Sequence, residues 1–139
     1  MALALANPGD ESLEPVGIDP GAVGARALVI LKRSDLYKRA RKERVGEIEA
    51  SFVELRRWLA QNSPGSSEIS VEEAMELLAD HFSRLVRFRL ARAGYGNRQA
   101  RVATGERVLE SFDKLVAKGF EEGPLLRLNK RIATIFEGV

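Results

Sequence analysis

Ser70-Val-Glu-Glu-Ala-Met-Glu-Leu-Leu-Ala-Asp-His-Phe-Ser-Arg-Leu-Val86 decides the fold class. Ser70 followed three residues later by Glu73 is the pattern of a capping box, in which the hydroxyl takes up a free backbone N–H of the first turn. Val71, Ala74, Met75, Leu78, Phe82, Leu85 and Val86 then recur at helical spacing and form one apolar stripe. Glu72, Glu73, Glu76 and Asp80 come early on the outer face, and Arg84 and Arg87 come late, an order that complements the helix dipole. Asp80 and Arg84 stand one turn apart and can pair.

Outward from this helix, no stretch alternates as a strand does, and no internal repeat is present. Gly94-Tyr95-Gly96-Asn97 ends it, and a further helix is expected from about Arg98 to Lys118. Val102, Leu109, Phe112, Leu115 and Val116 are its expected core stripe. Gly105, on the same side, permits a close helix contact, and Gly119 is the expected stop. Gly123-Pro124 opens a last helix, with Leu125, Leu128, Ile132, Ile135 and Phe136 turned inward. Upstream, Asn62 to Ser67 is a loop. Before it, Tyr37, Val45, Ile48, Phe52, Leu55 and Leu59 define an apolar face whose opposite side carries Lys32, Arg39, Lys42 and Arg57. The expectation is a long basic amphipathic helix over 21–62, with a break allowed near Ser34-Asp35. Asp19-Pro20 starts it, Asp as cap and Pro in the first turn. Residues 1–20, rich in Pro, Gly and acids, read as an extended arm that is ordered only where something covers it. The expected architecture is therefore all-α: an arm over 1–20, the basic helix over 21–62, and a helical bundle over 69–139.

Composition excludes several functions. The 139 residues are the length of one domain, and 45% hydrophobic content allows a core, with 6% aromatics making it mainly aliphatic. The absence of cysteine excludes disulfides, thiolate metal sites and a cysteine nucleophile, and a single histidine excludes a multi-histidine zinc site. Glu73, Glu76, Asp80 and His81 suggest a carboxylate metal helix, but Glu76 and His81 are five apart and share no face. No nucleophile elbow exists for Ser/His/Asp chemistry, and no strand precedes the Gly-Tyr-Gly turn as a phosphate loop requires. No catalytic residue, metal ligand or cofactor is expected. The aliphatic run Ala27 to Leu31 is too short to span a bilayer, and the N-terminus lacks the cationic start of a signal peptide, so the expectation is a soluble, non-secreted chain.

The net charge of +2 conceals segregation. Residues 1–25 carry four acids and no Lys or Arg. Residues 26–44 carry eight Lys/Arg against two acids, 45–83 two against eight, and 84–107 seven against one. Arginine outnumbers lysine 16 to 6, which suits bidentate phosphate contact and equally suits a hot environment. Two basic blocks result. Lys32, Arg33, Lys38, Arg39, Arg41, Lys42 and Arg44 occupy more than one side of the first helix, as suits a helix partly enclosed by polyanion. Arg84, Arg87, Arg92, Arg98 and Arg101 surround the Gly-Tyr-Gly turn, and Arg89 on the apolar stripe calls for an anionic partner. The competing reading is ordinary solvated or intersubunit charge. Scarce Asn and Gln, no stacking platform and no short helix-turn-helix pair argue against base readout, so backbone binding without sequence preference fits best.

The order of parts resembles the major capsid proteins of filamentous and rod-shaped archaeal viruses, of the rudivirus, lipothrixvirus and tristromavirus type. The resemblance rests on the Pro/Gly-rich arm, the basic helix, Gly94-Tyr95-Gly96 followed by Ala100-Arg101-Val102-Ala103, the aliphatic helix, the Gly break and the closing Leu125 to Phe136 helix. It covers residues 20–139 in layout. It implies a structural, non-catalytic protein of the virion, assembled in the host cytoplasm. Paired subunits, identical or related, would enclose linear double-stranded DNA, held in A-form, in a helical filament. Lys32 to Arg44 would be inner phosphate contacts, with Arg84, Arg87, Arg92, Arg98 and Arg101 as further ones. Asp35 and Glu43 depart from a purely cationic lining. The alternative is a small all-helical protein-interaction or regulatory module.

Overall fold

The computed structural model describes residues 20–62 and 69–137, and these are all-helical. Six helices follow one another: α1 (Pro20–Lys32), α2 (Asp35–Ala40), α3 (Val45–Gln61), α4 (Val71–Leu90), α5 (Arg98–Ala117) and α6 (Glu122–Glu137). A π-helical turn, Ala91–Tyr95, continues α4. The arm over 1–19, the Asp19 cap, and residues 63–68 and 138–139 lie outside the described residues.

α4 is the hub. Its stripe expected from sequence is in the core: Leu78, Phe82, Leu85 and Val86 are all buried. α1 and α5 pack most extensively on it, with α2, α3 and α6 completing the shell, while α3 also packs on α6 and α1. Each partner contributes residues at spacings of three and four: Val23, Ala27 and Leu31 from α1; Ile48, Phe52, Leu55 and Leu59 from α3; Leu125, Leu128, Ile132 and Phe136 from α6. Burying one such side chain stabilises the fold by about 1.5–3 kcal/mol, so these stripes, more than helix propensity, hold the chain together. The Phe52 and Phe82 rings meet at 4.9 Å. Trp58 donates its indole N–H to the Pro124 carbonyl at 2.7 Å and fixes the start of α6 against α3.

Local signals act where the sequence places them. The Ser70 hydroxyl accepts from the Glu73 N–H at 3.0 Å. Asn97 caps α5 through the Ala100 N–H at 2.8 Å. Gly119 takes φ +109° beyond the end of α5, in the left-handed region that glycine tolerates. A Cβ on Gly105 would stand 3.1 Å from the Phe88 ring, so the missing side chain lets α5 approach α4.

Two expectations are corrected. The segment 21–62 is three helices. Ser34 breaks it at the position the sequence allows, its hydroxyl accepting from the Tyr37 N–H at 3.3 Å. A second break at 41–44 is one the apolar periodicity does not announce. Lys38, Arg41, Lys42 and Arg44 lie three and four residues apart, and like charges at those spacings weaken a helix by about 0.2–0.5 kcal/mol per pair. The breaks let α1 fold back into the core, so 21–62 is part of the bundle and no separate long helix stands beside it. Second, Val102 and Leu109 are 55% and 66% exposed. The expected Leu115 is buried and Phe112 and Val116 pack on the core, but α5 turns Val108 and Ser111 inward in place of Val102 and Leu109, because its one large neighbour is α4 and its polar contact there is made by Ser111. The Glu73 carboxylate meets Lys118 Nζ at 3.2 Å. Val45 and Val71, the first residues of their helices, are likewise exposed.

Candidate nucleic-acid interface

The two basic blocks, far apart in sequence, adjoin at one end of the bundle. α2 packs against both α4 and the π-helical turn. Leu36, Tyr37 and Ala40 are its buried side, which leaves Lys38 and Arg39 outside. The turn returns the contact through Gly96. A Cβ there would lie 3.0 Å from Ala100 Cβ, 3.2 Å from Ala91 Cβ and 3.3 Å from Leu36 Cδ2. Gly94 has φ +107°, which reverses the chain between the π-helical turn and α5.

Tyr95 joins the blocks. Its hydroxyl donates to the Glu43 carboxylate at 2.6 Å, and that bond holds the phenol above its ordinary pKa. The Arg44 guanidinium lies 5.9 Å from the centre of the same ring and pairs with Glu47 at 3.2 Å. Read as sequence alone, Gly-Tyr-Gly is a plain turn, and this role escapes; an aromatic between two glycines, flanked by arginines, is the available signal.

The predicted residues fall into two groups. Lys32, Arg33, Lys38, Arg39, Arg41 and Lys42 are exposed, and among the described residues none forms an ion pair. Arg98 and Arg101, in the first turn of α5, are likewise exposed and unpaired, and Arg92 is exposed with its guanidinium 5.8 Å from the Phe88 ring. Arg44 is partly engaged, as above. This end of the bundle therefore holds ten Lys/Arg against Asp35, Glu43 and Glu47.

Arg84 and Arg87 do not belong to it. Arg84 pairs with Asp80 at 2.9 Å and Glu110 at 2.7 Å, and donates to the Arg107 carbonyl at 3.1 Å. Partial burial alone lowers its pKa, but the two carboxylates outweigh that and raise it. The predicted Asp80–Arg84 pair thus forms, and a phosphate at Arg84 would have to displace both acids. Arg87 is half-buried along α4, and desolvation pulls its pKa down. Arg89 finds its anion within the chain, Glu137 at 2.8 Å, and leaves its buried Nε without a partner.

The remaining polar centre is enclosed. His81 is fully buried, with Nδ1 2.7 Å from Ser111 Oγ and Nε2 3.1 Å from Asn129 Oδ1. Burial lowers its pKa and favours the neutral ring. Ser111, 2% exposed, also has its hydroxyl 3.1 Å from the Val108 carbonyl, and with Asn129 the group joins α4, α5 and α6 and is closed to solvent. Asn129 as the third member is not legible from sequence. Among the described residues, no group of three or more His, Asp or Glu is placed to hold a metal, and no helix is long and apolar enough to cross a membrane. No family model, curated protein or solved structure matches the chain.

Proposed function

We propose that this chain is a structural nucleocapsid protein that binds the backbone of linear double-stranded DNA without reading its sequence. It acts as the repeating subunit of a helical virion, paired with itself or a related subunit, and holds the duplex in A-form. The observation that carries the reading is the junction at Tyr95, which sets the exposed cations of 32–44 beside those of 92–101. A duplex presents one negative charge per ~1.7 Å of axis, and a face rich in unpaired guanidinium groups is the complement of such a lattice. The contact surface is the α2 end of a compact bundle, and not the side of one extended helix. What supports the capsid part of the reading is the remaining layout resemblance to filamentous archaeal capsid proteins, in the Gly94-Tyr95-Gly96 turn and the helices that follow it, without a single long basic helix.

The test is negative-stain microscopy, nuclease digestion and circular dichroism of the protein with and without linear duplex. The expected result is filaments, protection irrespective of sequence, and an A-form spectrum. Changing Lys32, Arg33, Lys38, Arg39, Arg41 and Lys42 together to Gln should abolish protection; binding that survives this change refutes the assigned face. A second reading, a protein-interaction module, is favoured by Val102 and Leu109, which stand exposed on α5. It predicts a discrete complex with another protein and no protection of DNA.

A further inference from the structure

A second cationic surface lies on α6. Between α3 and α6 runs a cleft of about 480 Å³, lined by Glu54, Arg127, Lys130, Arg131, Thr134 and Ile135. Its three cations face a single acid. Glu54 is already bound to Arg57 at 2.7 Å and stands 3.6 Å from Arg131. Arg127 and Lys130 are exposed, and among the described residues neither forms an ion pair. The surface is not purely polar: Leu126, one turn before Lys130, is 52% exposed, and Ile135 is partly open to the cleft.

We propose that this cleft is the docking site of the chain's own residues 1–19. Two observations select that occupant. The first is chemical. Residues 1–19 carry Asp10, Glu11, Glu14 and Asp19 and no Lys or Arg, interleaved with Leu13, Val16 and Ile18. They are the complement of a cleft that is cationic with apolar edges. The second is position. A Cβ on Gly24, in the first half of α1, would lie 3.6 Å from Arg56 Nη1 and 3.9 Å from Phe52 Cδ1. The first half of α1 thus packs on α3, which itself packs on α6, so α3 is the helix that stands between α1 and the cleft. A helix is about 10 Å across, and the eight residues from Ser12 to Pro20 can span at most about 28 Å. The tether is long enough to cross α3, and an intramolecular segment enjoys a high effective concentration.

Docking in this manner neutralises the α3–α6 flank and leaves the α2 end as the exposed polycation. The inference does not depend on DNA being the ligand of that end.

The absence of cysteine supplies the experiment. In the full chain, a cleft pair of substitutions, Ser12→Cys with Thr134→Cys, is oxidised and compared with a control pair, Ser12→Cys with Glu106→Cys, the second site lying on the outer side of α5. The docked arm predicts an intramolecular disulfide forming about fivefold faster, or more, in the cleft pair than in the control pair, as a raised effective concentration requires. Arg127→Glu with Lys130→Glu should reduce the rate to the control's, and Asp10→Lys, Glu11→Lys and Glu14→Lys added to that background should restore it. Melting curves of all variants establish that the bundle is intact. Equal rates for the two pairs, crosslinks only between molecules, or a rate indifferent to the charge reversals would each overturn the proposal.

Discussion

At the scale of the residue, His81 and the arginines divide into those the fold uses and those it leaves open. A neutral imidazole has one donor and one acceptor nitrogen: Nε2–H donates to Asn129 Oδ1, and Nδ1 accepts the single Ser111 hydroxyl proton in competition with the Val108 carbonyl. Protonation would bury a charge. Of the charged neighbours, Asp80 favours the proton and Arg84 opposes it, while desolvation exceeds both. Because the folded-state pKa lies below the unfolded value, stability is complete above about pH 6.5 and falls as pH drops toward the folded value, by up to about 1.4 kcal/mol per pH unit. Urea denaturation between about pH 5 and 6.5 should show this slope, and His81→Gln should remove it whatever its cost to overall stability. Arg84 and Arg39 provide a matched contrast. Arg84→Ala removes the pairs with Asp80 and Glu110, both carboxylates open to water, and should cost no more than about 1 kcal/mol in thermal or urea unfolding, without changing DNA affinity. Arg39→Ala touches no partner and should leave stability within about 0.5 kcal/mol while weakening DNA binding.

At the scale of the element, the joint between α2 and the turn after α4 is the critical contact. Gly96→Ala would press a methyl against Ala91 Cβ and Ala100 Cβ, which are fixed to backbone and cannot yield as a long side chain does. The expected loss is about 1–3 kcal/mol, the usual cost of overpacking, with weakened DNA binding because α2 is displaced. A urea titration beside a binding isotherm checks both. The helices themselves are legible in the sequence wherever a local signal exists: Ser34, Ser70, Asn97 and Gly119 each stop or start an element by their own chemistry. Residues 41–44 are not, because apolar periodicity resumes in phase beyond them and masks the interruption. The stripe of α5 is misleading for a related reason. Val102 and Leu109 are more apolar than Thr104 and Ser111, yet rotation about that helix is set by its one neighbour and by a histidine 30 residues upstream. The basic blocks are visible as charge patterns; their meeting at Tyr95 is a tertiary fact that no local spacing encodes.

At the scale of the whole molecule, charge is sorted by position. The α2 end is strongly cationic, whereas Arg84 and Arg89 are neutralised within the bundle. If the exposed cations of that end contact phosphate, the logarithm of DNA affinity should fall with the logarithm of salt at about 0.9 per contact, and each Lys or Arg changed to Gln there should reduce the slope by about that amount. Fluorescence anisotropy on a labelled duplex over a salt series measures it, and scrambled duplex sequences should give the same line.

The shortness of α2 has a last consequence. Six residues, held by Leu36, Tyr37 and Ala40, anchor a segment whose cations outnumber its acids and repel one another. Dissolved ions shorten the reach of that repulsion, to about 10 Å at 0.1 M. The same sodium chloride that loosens the grip on a duplex should therefore firm the unliganded protein, so that melting temperature and affinity move in opposite directions along one titration.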